Sequence, residues 1–90
     1  MTIVAIHPGE HLREFVEEFE ITRYRLASEI HVQQTRVNEI INGKRSITAD
    51  TAVRLGRYFG TTAHFWMNLQ TQYDVTEAEQ NITESIQCVA

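Results

Sequence analysis

Apolar residues recur at helical spacing along most of this 90-residue chain. A first helix is predicted to follow Pro8, because proline is tolerated in a first helical turn, and to run to about residue 19. Its inward positions are Leu12, Phe15, Val16 and Phe19. Thr22 is a suitable N-cap for a short second helix, whose inward positions are Tyr24, Leu26, Ala27 and Ile30. The chain is therefore expected to open with two helices.

A third helix is predicted to begin near Gln33, and its narrow apolar stripe consists of Val37, Ile40 and Ile41. Asn42 and Gly43 indicate a left-handed C-terminal stop. A fourth helix is expected after Thr48 and before Gly60, containing Ala52, Val53, Leu55, Tyr58 and Phe59. Thr62 caps a fifth helix, which contains Phe65, Trp66 and Leu69. The predicted fold class is all-α, with five helices.

The second and third helices are separated by about 3 to 4 residues, which is the spacing of a helix-turn-helix. We expect one DNA-binding domain over residues 1–75, which includes the fifth helix as a dimerisation element. Apolar residues become sparse beyond Asp74. Residues 76–90 are expected to form a short C-terminal tail, for which a frayed helix, a short strand and a mobile segment stay open.

The polar face of the third helix carries groups suited to reading DNA bases. Steps of about 100° per residue place Gln34, Thr35, Asn38 and Glu39 opposite the apolar stripe. Glutamine and asparagine pair with adenine, threonine offers a hydroxyl and a methyl, and glutamate accepts from cytosine. Residues toward the edges of this face are expected to contact phosphate: Gln33 and Arg36. The competing interpretation is a polar face that is simply solvated.

Cations flank the predicted recognition helix and are expected to bind the DNA backbone: Arg23, Lys44 and Arg45. The net charge of -4 hides this pattern. Residues 1–22 and residues 59–90 each carry -4, whereas residues 23–58 carry +4. A basic centre between two acidic flanks is compatible with a double-stranded DNA partner.

The short chain favours a binding module over an enzyme, since deep pockets usually need more scaffold, and no cofactor is expected. The sequence shows neither a signal-peptide pattern nor an apolar run long enough for a membrane span. A single cysteine, Cys88, cannot form an internal disulfide. The expected location is the cytoplasm.

Several short segments between residues 7 and 75 resemble the HigA-type (VapI-like) antitoxins, a group of the repressor-like (XRE) helix-turn-helix proteins. They follow one another in the same order at matching spacing: His7-Pro8-Gly9-Glu10, Tyr24-Arg25-Leu26-Ala27, Arg36-Val37-Asn38-Glu39-Ile40, Asn42-Gly43-Lys44-Arg45, Ile47-Thr48-Ala49-Asp50-Thr51-Ala52, and Phe65-Trp66-Met67-Asn68-Leu69-Gln70 with Tyr73-Asp74. Each segment alone is weakly specific, and the combination carries the resemblance.

This resemblance implies a repressor-like fold and a homodimer that binds the operator of its own operon. It also implies a protein partner, a RelE-like mRNA-cleaving toxin called HigB, which the chain would neutralise. The start of the recognition helix would be Gln33, Gln34 and Thr35. This chain has His31 at a turn position that is often glycine, and histidine adopts positive φ at some cost. It also has Ala63 and His64 where proline and glutamate are usual, which leaves the Thr62 cap intact.

Two alternatives to an antitoxin stay open at this point. One is a stand-alone transcriptional regulator without a toxin partner. The other is a small zinc hydrolase, because His7, Glu10 and His11 match the His-x-x-Glu-His pattern of one peptidase class. Pro8 and Gly9 are expected to place His7 ahead of the helix, and no convincing third ligand follows. No metal is therefore expected.

Two further surfaces have more than one interpretation. The stripe of Phe65, Trp66 and Leu69 is interpreted as core plus dimer interface rather than a ligand pocket. The glutamates of the first helix and of the tail are ordinarily solvated surface. Opposite potentials speed encounter, so these glutamates are also candidates for contact with a basic toxin.

Overall fold

Residues 4–89, the range that the computed structural model describes, form five α-helices and no strand. The helices are α1 (Pro8–Glu18), α2 (Arg23–Glu29), α3 (Gln34–Ile41), α4 (Ala49–Phe59) and α5 (Ala63–Asn81). The all-α prediction is confirmed. Residues 1–3 of the predicted domain and residue 90 of the predicted tail lie outside the described residues.

Threonine N-caps begin three of the five helices, as the sequence predicts. The side chains of Thr22, Thr48 and Thr62 each accept a hydrogen bond from the backbone N–H three residues later, at 2.9, 3.4 and 3.0 Å. Each such cap is typically worth about 1 kcal/mol, because it satisfies one of the free donors of a first turn. The starts of α2, α4 and α5 are therefore encoded locally.

The end of α3 is a left-handed stop at Gly43, which has φ 76°. The N–H of Lys44 donates to the carbonyl of Glu39 at 2.8 Å, and the N–H of Gly43 donates to that of Ile40 at 3.0 Å. These two bonds are the Schellman pattern, which satisfies the last carbonyls of a helix. Gly60 ends α4 in the same left-handed region, with φ 74°.

The core is formed by residues from all five helices and from two of the connections between them. Its buried apolar residues are Leu12, Val16, Leu26, Ala27, Ile30, Val37, Ile40, Ile41, Ile47, Ala52, Leu55 and Trp66. Trp66 is fully buried, and its indole Nε1 donates to the Thr61 hydroxyl at 2.9 Å. The apolar stripe predicted for α3 is confirmed.

Two predicted core positions are wrong: Phe19, which lies just after the end of α1 and is 54 % exposed, and Tyr24. Tyr24 is 68 % exposed, although it was expected to point inward. It lies two residues before Leu26, and residues two apart on a helix do not share a face. Leu26, Ala27 and Ile30 occupy the buried side instead.

The last helix continues past the predicted domain boundary to Asn81. Residues 76–81 of the predicted tail are thus helical, and residues 82–89 are exposed and outside any helix. The division at residue 75 stays a prediction. Across residues 4–89, no helix combines the length and the apolar character that crossing a membrane requires.

Candidate nucleic-acid interface

A tight turn of residues 30–33 joins α2 to α3. The N–H of Val32 donates back to the carbonyl of Ala27 at 3.0 Å, which closes the end of α2. His31 has φ 62°, so the positive φ expected at this position is present. Ile30 is buried beside it and fixes the turn to the core. The two helices therefore have a defined relative orientation, which a helix-turn-helix needs.

The start of α3 presents a polar surface to solvent. Gln33, Gln34 and Thr35 are all exposed. Gln33 is the N-cap residue, yet its side chain makes no capping hydrogen bond. On the opposite side of α3, the residues of the apolar stripe are each 2 % exposed or less. These polar side chains are thus held on a helix whose other face is fixed in the core.

Two other predicted base readers lie farther along α3 and are each in contact with an arginine. Arg23 Nη1 donates to Asn38 Oδ1 at 3.4 Å. Arg45 Nε donates to Glu39 Oε2 at 3.3 Å. Asn38 and Glu39 are half-buried. The structure therefore brings these two residues to the cations on either side of α3, rather than leaving them open to solvent as Gln34 is.

Arg36 lies toward α4, where its Nη1 is 3.3 Å from Asp50 Oδ2. The same carboxylate oxygen accepts from Arg54 Nε at 2.9 Å. The hydrogen bond from Arg54, together with the charges of both arginines, lowers the pKa of Asp50. Asp50 is thus an anion shared by two guanidinium groups at the edge of α3.

Lys44 and Arg45 lie in the loop after the Gly43 stop, and both are exposed. Lys44 makes no ion pair with any residue in the described range. A surface hollow beside the turn is lined by His31, Val32, Gln33, Thr35, Arg36 and Arg45. Four of the nine predicted DNA-binding residues therefore share this hollow, and Lys44 adjoins it in sequence.

Two residues that sequence reasoning missed hold the interface in place. Arg54 Nη1 donates to the carbonyl of Ile30 at 2.8 Å and so ties α4 to the turn. Gln70 Oε1 accepts from the backbone N–H of Ile47 at 2.7 Å and so ties α5 to the loop after α3. A signal for Gln70 exists in the sequence, since it lies four residues after Trp66 and hence on the buried side of α5. Arg54 carries no comparable signal.

His7, one of the candidate zinc residues, contacts other groups of the protein instead. His7 lies ahead of α1 in extended backbone, as predicted, and its Nδ1 accepts from the N–H of Gly9 at 2.9 Å. Its ring meets that of Tyr73 edge-on, with centroids 4.9 Å apart. Burial lowers the pKa of His7, against the opposing effect of Asp74 and Glu10. Among residues 4–89, no group of three or more histidine, cysteine, aspartate or glutamate side chains could hold a metal ion.

Two short helices joined by a tight turn, with a polar face opposite the core and cations on both sides, define a helix-turn-helix module. A helix-turn-helix family model matches residues 12–66, more than half of the chain. The chain belongs to the helix-turn-helix family.

Named relatives narrow this class. The chain is 51 % identical over 78 residues to virulence-associated protein I of Dichelobacter nodosus, covering 86 % of this chain and 72 % of that protein. It is 44 % identical to the Pseudomonas aeruginosa antitoxin HigA, solved with the higBA promoter, with a TM-score of 0.81 over 92 % of this chain and 100 % of that one. The resemblance to HigA-type antitoxins is confirmed.

A second structure from Pseudomonas aeruginosa is that of a protein in complex with its 18-bp operator DNA. The chain is 47 % identical to it, with a TM-score of 0.87 over 91 % of this chain and 89 % of that one. The five-helix architecture is therefore shared with proteins that have been solved on operator DNA.

Proposed function

We propose that this protein is a non-enzymatic antitoxin that represses its own operon by binding operator DNA as a homodimer. The observation that carries the DNA-binding part is the exposed polar start of α3, backed by a buried apolar stripe and flanked by cations. A solvated helix face on an unrelated domain has no reason to be surrounded in this way. Similar proteins solved on operator DNA support the same function.

The proposed roles follow from what each side chain contacts in the free protein. Gln34 and Thr35 read base edges, since they are exposed on the groove-facing side of α3. Phosphate contacts come from the cations and from the edges of α3: Arg23, Gln33, Arg36, Lys44 and Arg45. Asn38 and Glu39 reach a base only after their arginine partners move to phosphates. An exposed ion pair is worth only about 0–1 kcal/mol, so this exchange costs little.

A dimer is proposed because a two-fold partner places two α3 helices in successive major grooves, about 34 Å apart. The surface proposed for it is the face of α5 that carries Phe65 and Leu69. Phe65 is 38 % exposed and Leu69 is partly buried, while Trp66 between them is in the core. The sequence prediction of core for Trp66 is confirmed, and the interface role of its neighbours stays a prediction.

Neutralisation of a RelE-like mRNA-cleaving toxin is proposed from the family resemblance and from relatives that are named antitoxins. A stand-alone regulator would share the DNA-binding surface and lack the toxin. Co-purification of a basic protein encoded in the same operon separates these two functions. A reducing, cytoplasmic location accompanies either function.

The testing experiment measures binding to the DNA upstream of the protein's own gene and to scrambled DNA at two salt concentrations. Gln34→Ala is expected to weaken operator binding by roughly 5- to 150-fold and scrambled-DNA binding little, as loss of one base contact does. Lys44→Ala should weaken both DNAs alike and reduce the salt slope by about one. The matched control is Arg13→Ala, an arginine on α1 outside the interface.

Three results would contradict parts of this proposal. Equal losses on both DNAs for Gln34→Ala would remove that residue from base readout. Equally weak binding of both DNAs by the unaltered protein at both salts would remove the repressor function itself. An effect of Arg13→Ala as large as that of Lys44→Ala would show that net charge alone, rather than this surface, determines binding.

A further inference from the structure

A group of phenylalanines reaches the surface where the end of α1 meets the end of α4. Phe19, just after α1, is 54 % exposed. Its ring centroid lies 6.2 Å from that of Phe15 and 5.3 Å from that of Phe59, both of which are partly buried. Phe15 in turn packs edge-on against the buried Trp66, at 5.0 Å. The exposed ring is therefore the outer layer of a cluster anchored in the core, not an isolated surface residue.

Glutamates run along α1 beside these rings. Glu14 and Glu18 are four residues apart, so they share a face, and each lies next to a phenylalanine in sequence. Both are exposed, and neither forms an ion pair with a residue in the described range. Like charges at this spacing are mutually repulsive. The last turn of α1 also carries no basic residue, although the negative end of a helix favours one.

This surface is therefore locally unfavourable in two ways in the isolated chain: an apolar ring faces water, and a row of uncompensated anions lies beside it. A single partner that brings both apolar contact and positive charge relieves both. We propose that Phe15, Phe19, Phe59, Glu14 and Glu18, here called the aromatic-acidic surface, bind a basic face of the toxin. This inference rests on the proposed antitoxin function.

Charge complementarity decides between the possible occupants. A protein that binds and cleaves mRNA needs a basic surface, because the RNA backbone is anionic. A second copy of this chain is disfavoured, since a two-fold interface brings the same patch of each subunit together and would place glutamates against glutamates. DNA is excluded as a partner of this surface, because its phosphates carry the same negative charge as Glu14 and Glu18. The aromatic-acidic surface thus suits a basic protein, whereas the cations around α3 suit anionic DNA.

The test uses the full chain and the RelE-like toxin encoded in the same operon, with affinity measured by calorimetry and association rates by stopped-flow mixing. Phe19→Ala is expected to weaken the complex at least about tenfold, as loss of an aromatic anchor does. The double variant Glu14→Gln/Glu18→Gln should slow association and reduce its salt dependence, and it leaves the packing intact because both residues are exposed. Tyr24→Ala, which removes a 68 % exposed ring on α2 with no adjacent glutamate, is the matched control.

Operator binding and sedimentation are measured on each variant, so that failure of this inference can be distinguished from failure of the proposed antitoxin function. Toxin binding that the Phe19 and glutamate variants leave unchanged overturns this inference alone. A wild-type chain that binds its operator but not the toxin overturns the antitoxin function and this inference with it. Loss of the dimer in Phe19→Ala would assign the surface to a second copy. Selective loss of toxin binding, with operator binding kept, supports the proposal.

Discussion

Gln70 is a buried polar residue whose hydrogen bonds connect α5 to the loop that carries Lys44 and Arg45. It is 3 % exposed. Its Oε1 accepts from the backbone N–H of Ile47 at 2.7 Å, and its Nε2 donates to Asp74 Oδ1 at 2.9 Å. Ile47 is buried two residues after Arg45. Replacing Gln70 therefore perturbs both the core and the loop.

Gln70→Met keeps most of the side-chain volume and removes both hydrogen bonds. The N–H of Ile47 then stays buried without an acceptor, which costs about 1–3 kcal/mol. For a domain of this size, each kcal/mol lowers the melting temperature by roughly 4–8 °C. Asp74→Ala removes only the acceptor that lies at the exposed end, so its expected cost is within about 1 kcal/mol. Comparing the free energies of unfolding of the two variants tests which of the two hydrogen bonds contributes more to stability.

Urea denaturation at one fixed chain concentration gives the free energy of unfolding, since dimerisation makes apparent stability depend on concentration. Gln72→Met, an exposed glutamine on the same helix, is the control and should lie within about 0.5 kcal/mol of the wild type. If Gln70→Met were as stable as this control, the Ile47 N–H would not depend on Gln70, and the reasoning would be refuted.

Three further predictions concern the backbone and a titrating cap. His31→Gly should raise thermal stability by about 0.5–1 kcal/mol, because glycine adopts φ 62° without strain; an unchanged melting curve would contradict this. Gly9→Ala should unfold or strongly destabilise the chain, read by circular dichroism, because a Cβ there overlaps the Ile40 carbonyl oxygen; a native spectrum and melt would refute it. Burial lowers the pKa of His7 below 6.5, so the unfolded chain binds the proton first, and stability should fall as pH drops through 6.5. His7→Asn, which keeps a capping acceptor, should flatten that slope in urea titrations, and a slope equal to the wild type would contradict this assignment.

Much of this fold is predictable from the sequence because its helix boundaries are set by local contacts. Thr22, Thr48 and Thr62 cap through backbone groups three residues away, and Gly43 and Gly60 stop helices through their own φ. Such interactions need no knowledge of the tertiary structure. The exposed start of α3 follows equally from the periodicity of its apolar stripe.

What escaped prediction depends on contacts between residues far apart in sequence. The bond from Ile47 to Gln70 spans 23 residues, and that from Arg54 to Ile30 spans 24. Periodicity alone assigned Tyr24 to the core because a short helix offers few positions with which to fix its face. It also placed Asn38 on the open polar face without indicating that Arg23 reaches it. Helical periodicity predicts which side a residue is on, and tertiary packing decides its partner.

The pairing of charges around α3 explains how an acidic protein can present a surface for DNA. Glu39 and Asp50 would repel phosphates if they were bare, but Arg45 lies against the first, and Arg36 and Arg54 against the second. Because exposed pairs are weak, a phosphate can take over an arginine at little cost. In the proposed function, the paired acids hold the cations near α3 before DNA binds, whereas the unpaired glutamates of α1 belong to a different surface. Net charge is thus less informative here than which acids have arginine partners.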